Sequence, residues 1–159
     1  MENAKRKAVI DADFFIKSTH NDEKAEIFLK MMEDLNIQPV MHHYVYEVEL
    51  RKSIAVKQLV EKNQIEVYQT EEFVTDEKEY REYFLSDDGT ARRFAKNMLS
   101  TSKHEIKTLS LYEALIQCKE NGTEITFKQL NPIITEAFRT RQAKLNSLKE
   151  IYMDEKYII

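Results

Sequence analysis

Residues 7–16, KAVIDADFFI, decide the predicted fold. Apart from two aspartates the stretch is apolar and rich in β-branched and aromatic residues, which is typical of a buried strand. The pattern therefore predicts a strand that ends in a polar turn, with Asp11 and Asp13 on the same face because they lie two residues apart. A carboxylate is costly to bury alone, so the pair predicts a cation or hydrogen-bond donors beside it.

Strand and helix patterns alternate along the rest of the chain. Further strands are predicted at residues 37–41, 65–68, 83–86 and 105–110. Helices are predicted around residues 27–35 and at 43–61, 75–83, 90–99 and 111–120, with two more within 126–152. This alternation indicates βαβ units and a largely parallel sheet. We therefore expect an α/β fold, a three-layer α/β/α sandwich in one domain of residues 1–159, with C-terminal helices from about residue 126.

The composition excludes several classes of protein. The chain has two glycines, so neither a GxGxxG nucleotide loop nor a Walker A loop is present. Its apolar runs are too short to span a bilayer, and no apolar segment of a signal peptide follows the basic N-terminus, so we expect no membrane partner. The single cysteine, Cys118, cannot form an internal disulfide, which predicts a cytoplasmic protein.

Charge is distributed unevenly along the chain. Residues 1–88 carry 12 Lys and Arg against 20 Asp and Glu, whereas residues 89–149 carry 11 against 5. This asymmetry predicts an acidic site beside a basic surface, although mixed charge also simply solvates helices. The candidate cations of that surface, which could contact the phosphates of a nucleic acid, are Arg92, Arg93, Lys96, Arg139, Arg141 and Lys144.

Acidic side chains are predicted at the carboxyl ends of the strands, where functional groups of parallel sheets collect. Carboxylates this close repel one another unless a divalent cation lies between them, and an all-oxygen site favours Mg²⁺ or Mn²⁺ over zinc. The predicted metal ligands are Asp11, Asp13, Glu47, Glu49, Asp87 and Asp88. Three structural explanations stay open: Asp88 could cap the next helix, Asp11 could be a hydrogen-bonded aspartate at the end of its strand, and Glu47 or Glu49 could be a solvated helix residue.

Four segments in this order resemble PIN-domain proteins. AVIDADFFI resembles their first strand, PVMHHYVYEVEL their second strand and following helix, YFLSDDGTARRFAK their later strand with its Ser/Thr-x-Asp turn, and EIKTLSLYEALIQCKENGTEIT their last strand and helix. The resemblance covers residues 8–130. It implies a sandwich around a parallel sheet and cleavage of RNA that depends on Mg²⁺ or Mn²⁺.

By matching positions the resemblance implies Asp11, Glu49 and Asp88 as catalytic residues, with Glu47 as the alternative glutamate. The chain departs from the family between its third and fourth strands, where an acid-bearing helix is expected; Asp76, Glu79 and Glu82 are weak substitutes. We therefore expect a metal-dependent endoribonuclease, of toxin or RNA-processing type, or alternatively a catalytically degenerate module that binds RNA or a protein. The family also implies an antitoxin or another protein partner, or a homodimer.

A phosphatase of the haloacid-dehalogenase-like type is a third possibility, because the DxD sequence at Asp11 and Asp13 permits it. Such enzymes also need a Ser or Thr and a Lys in later motifs, and no such motif is evident in this sequence.

Overall fold

The computed structural model describes residues 5–20, 22, 24–68, 81–99 and 106–153. Five strands form one parallel sheet in the order β3-β2-β1-β4-β5. The strands are β1 (Arg6–Ile10), β2 (Ile37–His42), β3 (Glu66–Tyr68), β4 (Arg81–Leu85) and β5 (Lys107–Leu109). The helices are α1 (Ala12–Ser18), α2 (Glu26–Asp34), a π-helical turn (Val45–Glu49), α3 (Ile54–Glu61), α4 (Gly89–Leu99), α5 (Leu111–Glu120), α6 (Phe127–Ala137) and α7 (Gln142–Met153).

The sheet has a hydrophobic layer on each face, because side chains alternate along its strands. On one face Ala8 and Ile10 pack into a core that includes buried residues of α1, α2, α3, α5, α6 and α7. On the other face Val9 packs with Phe84 and with Ala95 of α4. The predicted three-layer α/β/α sandwich is therefore confirmed.

The order of strands reverses at β1. The chain passes from β1 to β2 and β3 on one side, and then returns to place β4 and β5 on the other. Ile10 pairs with Leu85, and the amide of Asp11 donates a 2.9 Å hydrogen bond to the carbonyl oxygen of Leu85. The ends of β1 and β4 thus lie side by side at the position where open α/β sheets bind their ligands.

The prediction that residues 7–16 form one strand is wrong beyond Ile10. Asp11 is instead the N-cap of α1, and its side chain accepts a hydrogen bond from the amide of Ala12. The helix buries Phe14 and Phe15 completely. An apolar run of this kind is therefore compatible with a buried helix as well as with a buried strand. Asp11 and Asp13 consequently do not share a strand face; they begin a helix.

The helix predicted for residues 43–61 is broken. The π-helical turn ends at Glu49, and α3 starts at Ile54 with Ser53 as its N-cap, whose side chain accepts from the amide of Val56. Asp22, in the loop before α2, also accepts hydrogen bonds from the amides of Ile54 and Ala55. Two side chains at this end of the helix therefore satisfy amides that a helix leaves without partners, which explains the break.

The helix predicted for residues 75–83 is also wrong where it can be checked, since residues 81–83 belong to β4. Asp76 and Glu79, and the side chain of Glu82, lie outside the described residues. Within the described part of the chain, no helix is long and apolar enough to cross a membrane.

Candidate functional site

Ser86 joins the two aspartates that follow β1. Its hydroxyl, which is fully buried, lies 2.9 Å from Oδ2 of Asp11 and 3.3 Å from Oδ1 of Asp13. The backbone amide of Asp87 also lies 3.3 Å from Oδ1 of Asp13. The hydroxyl has a single hydrogen to share between two carboxylates, so the acidic pair is only partly satisfied by hydrogen bonds.

Burial and repulsion together raise the pKa of Asp13. Desolvation has the largest effect, and the neighbouring charge of Asp11 adds to it. The amide hydrogen bond from Asp87 and the charge of Lys17 oppose this rise without cancelling it. Ionisation of Asp13 at the end of β1 is therefore less favourable than ionisation of an aspartate in water.

Glu49 and Glu47 have different neighbours. Desolvation raises the pKa of Glu49, and repulsion from Asp11 and Asp13 raises it further, although much of its side chain is exposed. The carboxylate of Glu47 instead lies 3.6 Å from Nδ1 of His43. Glu49 therefore lies close enough to the aspartate pair for the charges of Asp11 and Asp13 to raise its pKa.

Asp87 does not join this acidic group through its carboxylate. The carboxylate is fully buried, and its Oδ2 lies 2.6 Å from Nζ of Lys17 and 2.6 Å from a guanidinium nitrogen of Arg141. Desolvation alone would raise the pKa of Asp87, but the hydrogen bonds from Arg141 and Lys17 outweigh it and lower that pKa. Two cations therefore already contact one carboxylate oxygen of Asp87. This pairing disfavours Asp87 as a metal ligand, a role that stays a prediction.

Asp88 caps α4. Its Oδ1 accepts hydrogen bonds from the amides of Thr90 at 2.9 Å and Ala91 at 3.3 Å, and its own amide donates to the hydroxyl of Ser86 at 3.1 Å. This is the structural explanation considered for Asp88, and an N-cap aspartate needs no further role. Its catalytic role stays a prediction.

The predicted RNA-contacting cations have varied surroundings. Arg92 donates to the carbonyl oxygen of Ser86 at 2.8 Å, Arg141 binds Asp87, and the ammonium of Lys144 lies 5.4 Å from the ring centre of Tyr112. Arg93 and Lys96 lie exposed on α4, and Arg139 lines a pocket beside α1. Two of the six cations, Arg92 and Arg141, therefore already bind groups at the end of β4, and the contact of the set with RNA stays a prediction.

Sequence reasoning missed the roles of Lys17 and Ser86. Lys17 is one helical turn after Asp13, a relationship that becomes visible only when residues 12–18 are assigned to a helix. Ser86 is the serine of the Ser/Thr-x-Asp turn in the resembling segment, but nothing in that pattern predicts that its hydroxyl contacts both aspartates.

The donor chemistry of Asp11 and Asp13 fits a hard divalent cation. Both provide oxygen atoms, and Mg²⁺ is commonly bound through one or two carboxylates while it keeps several waters. In the ranges given above, however, no group of three His, Cys, Asp or Glu side chains is arranged to hold a metal ion. The described geometry thus offers a pair of ligands with Glu49 nearby rather than a complete cage.

Comparison of the chain with known protein families, with curated proteins and with solved structures found no match.

Proposed function

We propose that this chain is a PIN-like ribonuclease, which hydrolyses RNA phosphodiester bonds with Mg²⁺ or Mn²⁺ held at the carboxyl edge of its sheet. The observation that carries the proposal is the contact of one buried hydroxyl, that of Ser86, with both Asp11 and Asp13. This contact lies between β1 and β4, where the strand order reverses and ligands of such sheets bind. The four resembling segments support the same reading.

In this proposal Asp11 and Asp13 hold the ion, and Glu49 supplies a further negative charge beside them. The backbone amide of Asp87 and the hydroxyl of Ser86 orient the Asp13 carboxylate. An ion held there would supply Lewis-acid chemistry: it would activate a water for in-line attack and neutralise charge that develops on the phosphate. The raised pKa values of Asp13 and Glu49 support cation binding, because a cation would relieve the repulsion that contributes to them.

The test is cleavage of a mixed single-stranded RNA pool in Mn²⁺ by the wild type and by Asp11→Asn, Asp13→Asn and Asp88→Asn. Asparagine is as good an N-cap as aspartate, so the variants at Asp11 and Asp88 remove charge while they keep the start of each helix. We expect loss of at least about 100-fold for Asp11→Asn and Asp13→Asn, because charge stabilisation by a metal contributes several kcal/mol and 1.36 kcal/mol is a factor of ten. Asp88→Asn reports whether that cap also takes part.

The matched control is Glu33→Gln, which removes one exposed carboxylate at the opposite edge of the sheet, near the end of α2. It should cleave as fast as the wild type, and EDTA should stop both. Equal activity of the wild type and Asp11→Asn would contradict the proposed site.

A catalytically degenerate module that binds RNA or a protein is the second candidate. It is supported by the pairing of Asp87 with Lys17 and Arg141 and by the capping role of Asp88, which leave fewer carboxylates for metal. Absence of cleavage, together with no change in melting temperature on adding Mn²⁺ or Mg²⁺, would favour this candidate. Binding of the same RNA pool in EDTA would then separate an RNA-binding module from one that binds protein.

A further inference from the structure

Helix α4 is the most positively charged of the described helices. Its 11 residues include three cations, Arg92, Arg93 and Lys96, and no acidic residue. The next most basic helix, α7, has two lysines against one glutamate. An excess of positive charge on one element attracts polyanions, so the side of α4 that faces away from the sheet is suited to a partner that carries phosphates.

The same helix exposes an aromatic ring. The side chain of Phe94 is 64% exposed, whereas those of Phe14, Phe15 and Phe28 are completely buried. The next residue, Ala95, is buried against the sheet and holds α4 to it, so the ring of Phe94 takes no part in that packing. A phenyl ring with this much surface in water gains free energy when a flat apolar group covers it.

The ring and two of the cations lie on the exposed side of α4. Arg93, Phe94, Lys96 and Asn97 are all exposed, while Ala95 between them is buried. Arg93 and Lys96 are three residues apart and are therefore neighbours on the helix surface. Phe94 lies about 100° from Arg93 around the helix axis, because a helix has 3.6 residues per turn. The exposed side of α4 thus presents a ring on one flank and two positive charges beside it.

The combination of a ring with cations selects the class of partner. Proteins bind single-stranded nucleic acids by stacking bases on aromatic side chains while a positively charged surface follows the phosphates. A duplex keeps the faces of its bases stacked on one another, so an exposed ring favours a single strand. We propose that α4 binds a single-stranded nucleic acid, with one base stacked on Phe94 and backbone phosphates at Arg93 and Lys96.

The position of α4 relates this surface to the acidic site. Asp88 caps α4, and Arg92 donates to the carbonyl oxygen of Ser86, whose hydroxyl contacts Asp11. Phe94 follows Asp88 by two turns or less, a distance of about 9 Å along a helix axis. If the aspartate pair cleaves RNA, α4 holds another part of the same strand; this part alone rests on the proposed function. Binding of a strand to α4 requires neither cleavage nor metal.

The experiment is fluorescence anisotropy of labelled oligonucleotides mixed with the full chain in EDTA, which prevents metal-dependent cleavage. The probes are a short single-stranded RNA, the single-stranded DNA of the same sequence and the RNA duplex. We expect the single-stranded RNA to bind about tenfold more tightly than the duplex, the effect of one stacked base. Equal binding of the two single strands identifies a general single-strand surface, and a preference for RNA identifies an added contact with its 2′-hydroxyls. Duplex binding as tight as that of the single strand overturns the proposal.

The stacking contact is tested by Phe94→Ala and Phe94→Tyr, with Ile54→Ala as the control. Ile54 is 66% exposed at the start of α3, which packs on the other face of the sheet, so its replacement removes a similar apolar surface elsewhere. We expect Phe94→Ala to weaken binding of the single strand about tenfold and to leave duplex binding unchanged. Phe94→Tyr keeps an aromatic ring and should bind as the wild type does. Equal weakening by Ile54→Ala would contradict a specific role of the ring.

The phosphate contact is tested by Arg93→Gln, with Lys57→Gln as the control. Lys57 is exposed on α3, and its replacement changes the net charge as much as that of Arg93. The logarithm of the binding constant should fall less steeply with the logarithm of the salt concentration in Arg93→Gln, by about 0.7 in slope, because one phosphate contact of a single strand is lost. The same decrease in Lys57→Gln would show non-specific attraction and overturn the proposal.

Melting temperatures of the variants equal to that of the wild type would exclude a loss of folding as the cause of weaker binding. No binding of any probe would overturn the proposal, and self-association that Phe94→Ala abolishes would then assign the exposed ring to a contact between two copies of the chain. Cleavage assays separate the two proposals. RNA that binds through Phe94 but is never cleaved leaves the strand surface intact and contradicts the nuclease.

Discussion

The guanidinium of Arg141 reaches 2.6 Å from Oδ2 of Asp87, a residue 54 positions earlier in the chain. Lys17, 70 positions before Asp87, donates to the same oxygen at 2.6 Å. Through this one buried carboxylate, residues at the end of α1, at the end of β4 and at the start of α7 contact each other. The backbone amide of Asp87 in turn donates to Oδ1 of Asp13. The ion pairs of the Asp87 side chain therefore help to fix the position of a backbone group that contacts the acidic site.

Replacement of Asp87 by asparagine should destabilise the fold. The change leaves Lys17 and Arg141 without their shared anion, and both cations are about one-third exposed, so water compensates part of the loss. We expect the free energy of unfolding in urea to fall by roughly 2 kcal/mol, the value of a hydrogen bond to a charged group. The neighbouring change Asp88→Asn, which keeps a helix cap, should alter it by less than about 0.5 kcal/mol. Equal effects of the two changes would contradict the structural role of Asp87.

The carboxylate of Asp87 should also make the stability of the fold depend on pH. Because the pKa of Asp87 is lowered in the folded state, its contribution is fully present above the usual value of 3.8 and is lost as the pH falls through the lowered folded value. Urea denaturation at a series of pH values from neutral to strongly acidic should therefore show a loss of stability below 3.8 that is smaller in Asp87→Asn than in the wild type. Parallel curves for the two proteins would exclude this contribution.

For Asp13 we expect the opposite dependence of stability on pH. Its pKa is raised by burial and by Asp11, so the folded state binds the proton more tightly and stability falls as the pH rises through the raised value. Without added metal, Asp13→Asn should therefore melt a few degrees higher than the wild type at neutral pH, where each kcal/mol is worth roughly 2–4 °C in a domain of this size. At a pH below 3.8 the advantage should disappear. A lower melting temperature of Asp13→Asn at neutral pH would show that hydrogen bonds and cations around Asp13 stabilise its charged form.

Ser110 is the N-cap of α5, and its replacement should show how much this cap contributes to stability. Its side chain accepts from the amide of Glu113, whose carboxylate in turn accepts from the amide of Ser110, a reciprocal capping box at the start of α5. Ser110→Ala should lower the free energy of unfolding by about 1 kcal/mol, the usual effect of removing such a cap. Ser110→Asp restores the side-chain acceptor and should recover most of the loss, whereas no recovery would place the cost in packing of the buried serine.

The fold class could be predicted because apolar strands and amphipathic helices alternate along the chain. That the ends of β1 and β4 lie side by side could also be expected in outline, since the carboxyl ends of parallel strands meet at one edge. The local structure at Asp11 could not be predicted in the same way: the residues around the two aspartates of KAVIDADFFI are apolar on every side, so their period does not separate a strand from a buried helix. The capping contact of Asp11 with Ala12 decides between them.

The pairing of Asp87 could not be predicted from local sequence at all. Asp87 and Asp88 are chemically identical neighbours at the end of β4, yet one carboxylate is fully buried against two cations and the other caps a helix in solvent. This difference depends on α7, which brings Arg141 to the site only when the tertiary structure is complete. Similarly, the different surroundings of Glu47 and Glu49 follow from the π-helical turn, which the regular helical pattern did not predict.

The position of Arg141 has a consequence for the order of events during synthesis. Among the described elements, α7 is the last to leave the ribosome, and contacts between residues this far apart form after local helices because long loops must close first. β1, β4 and the acidic pair precede Arg141 in the chain, so they leave the ribosome before it. Until α7 docks, Asp87 would lack one of the two cations that contact it within the described residues, and the acidic edge of the sheet would carry more negative charge than it does in the folded protein.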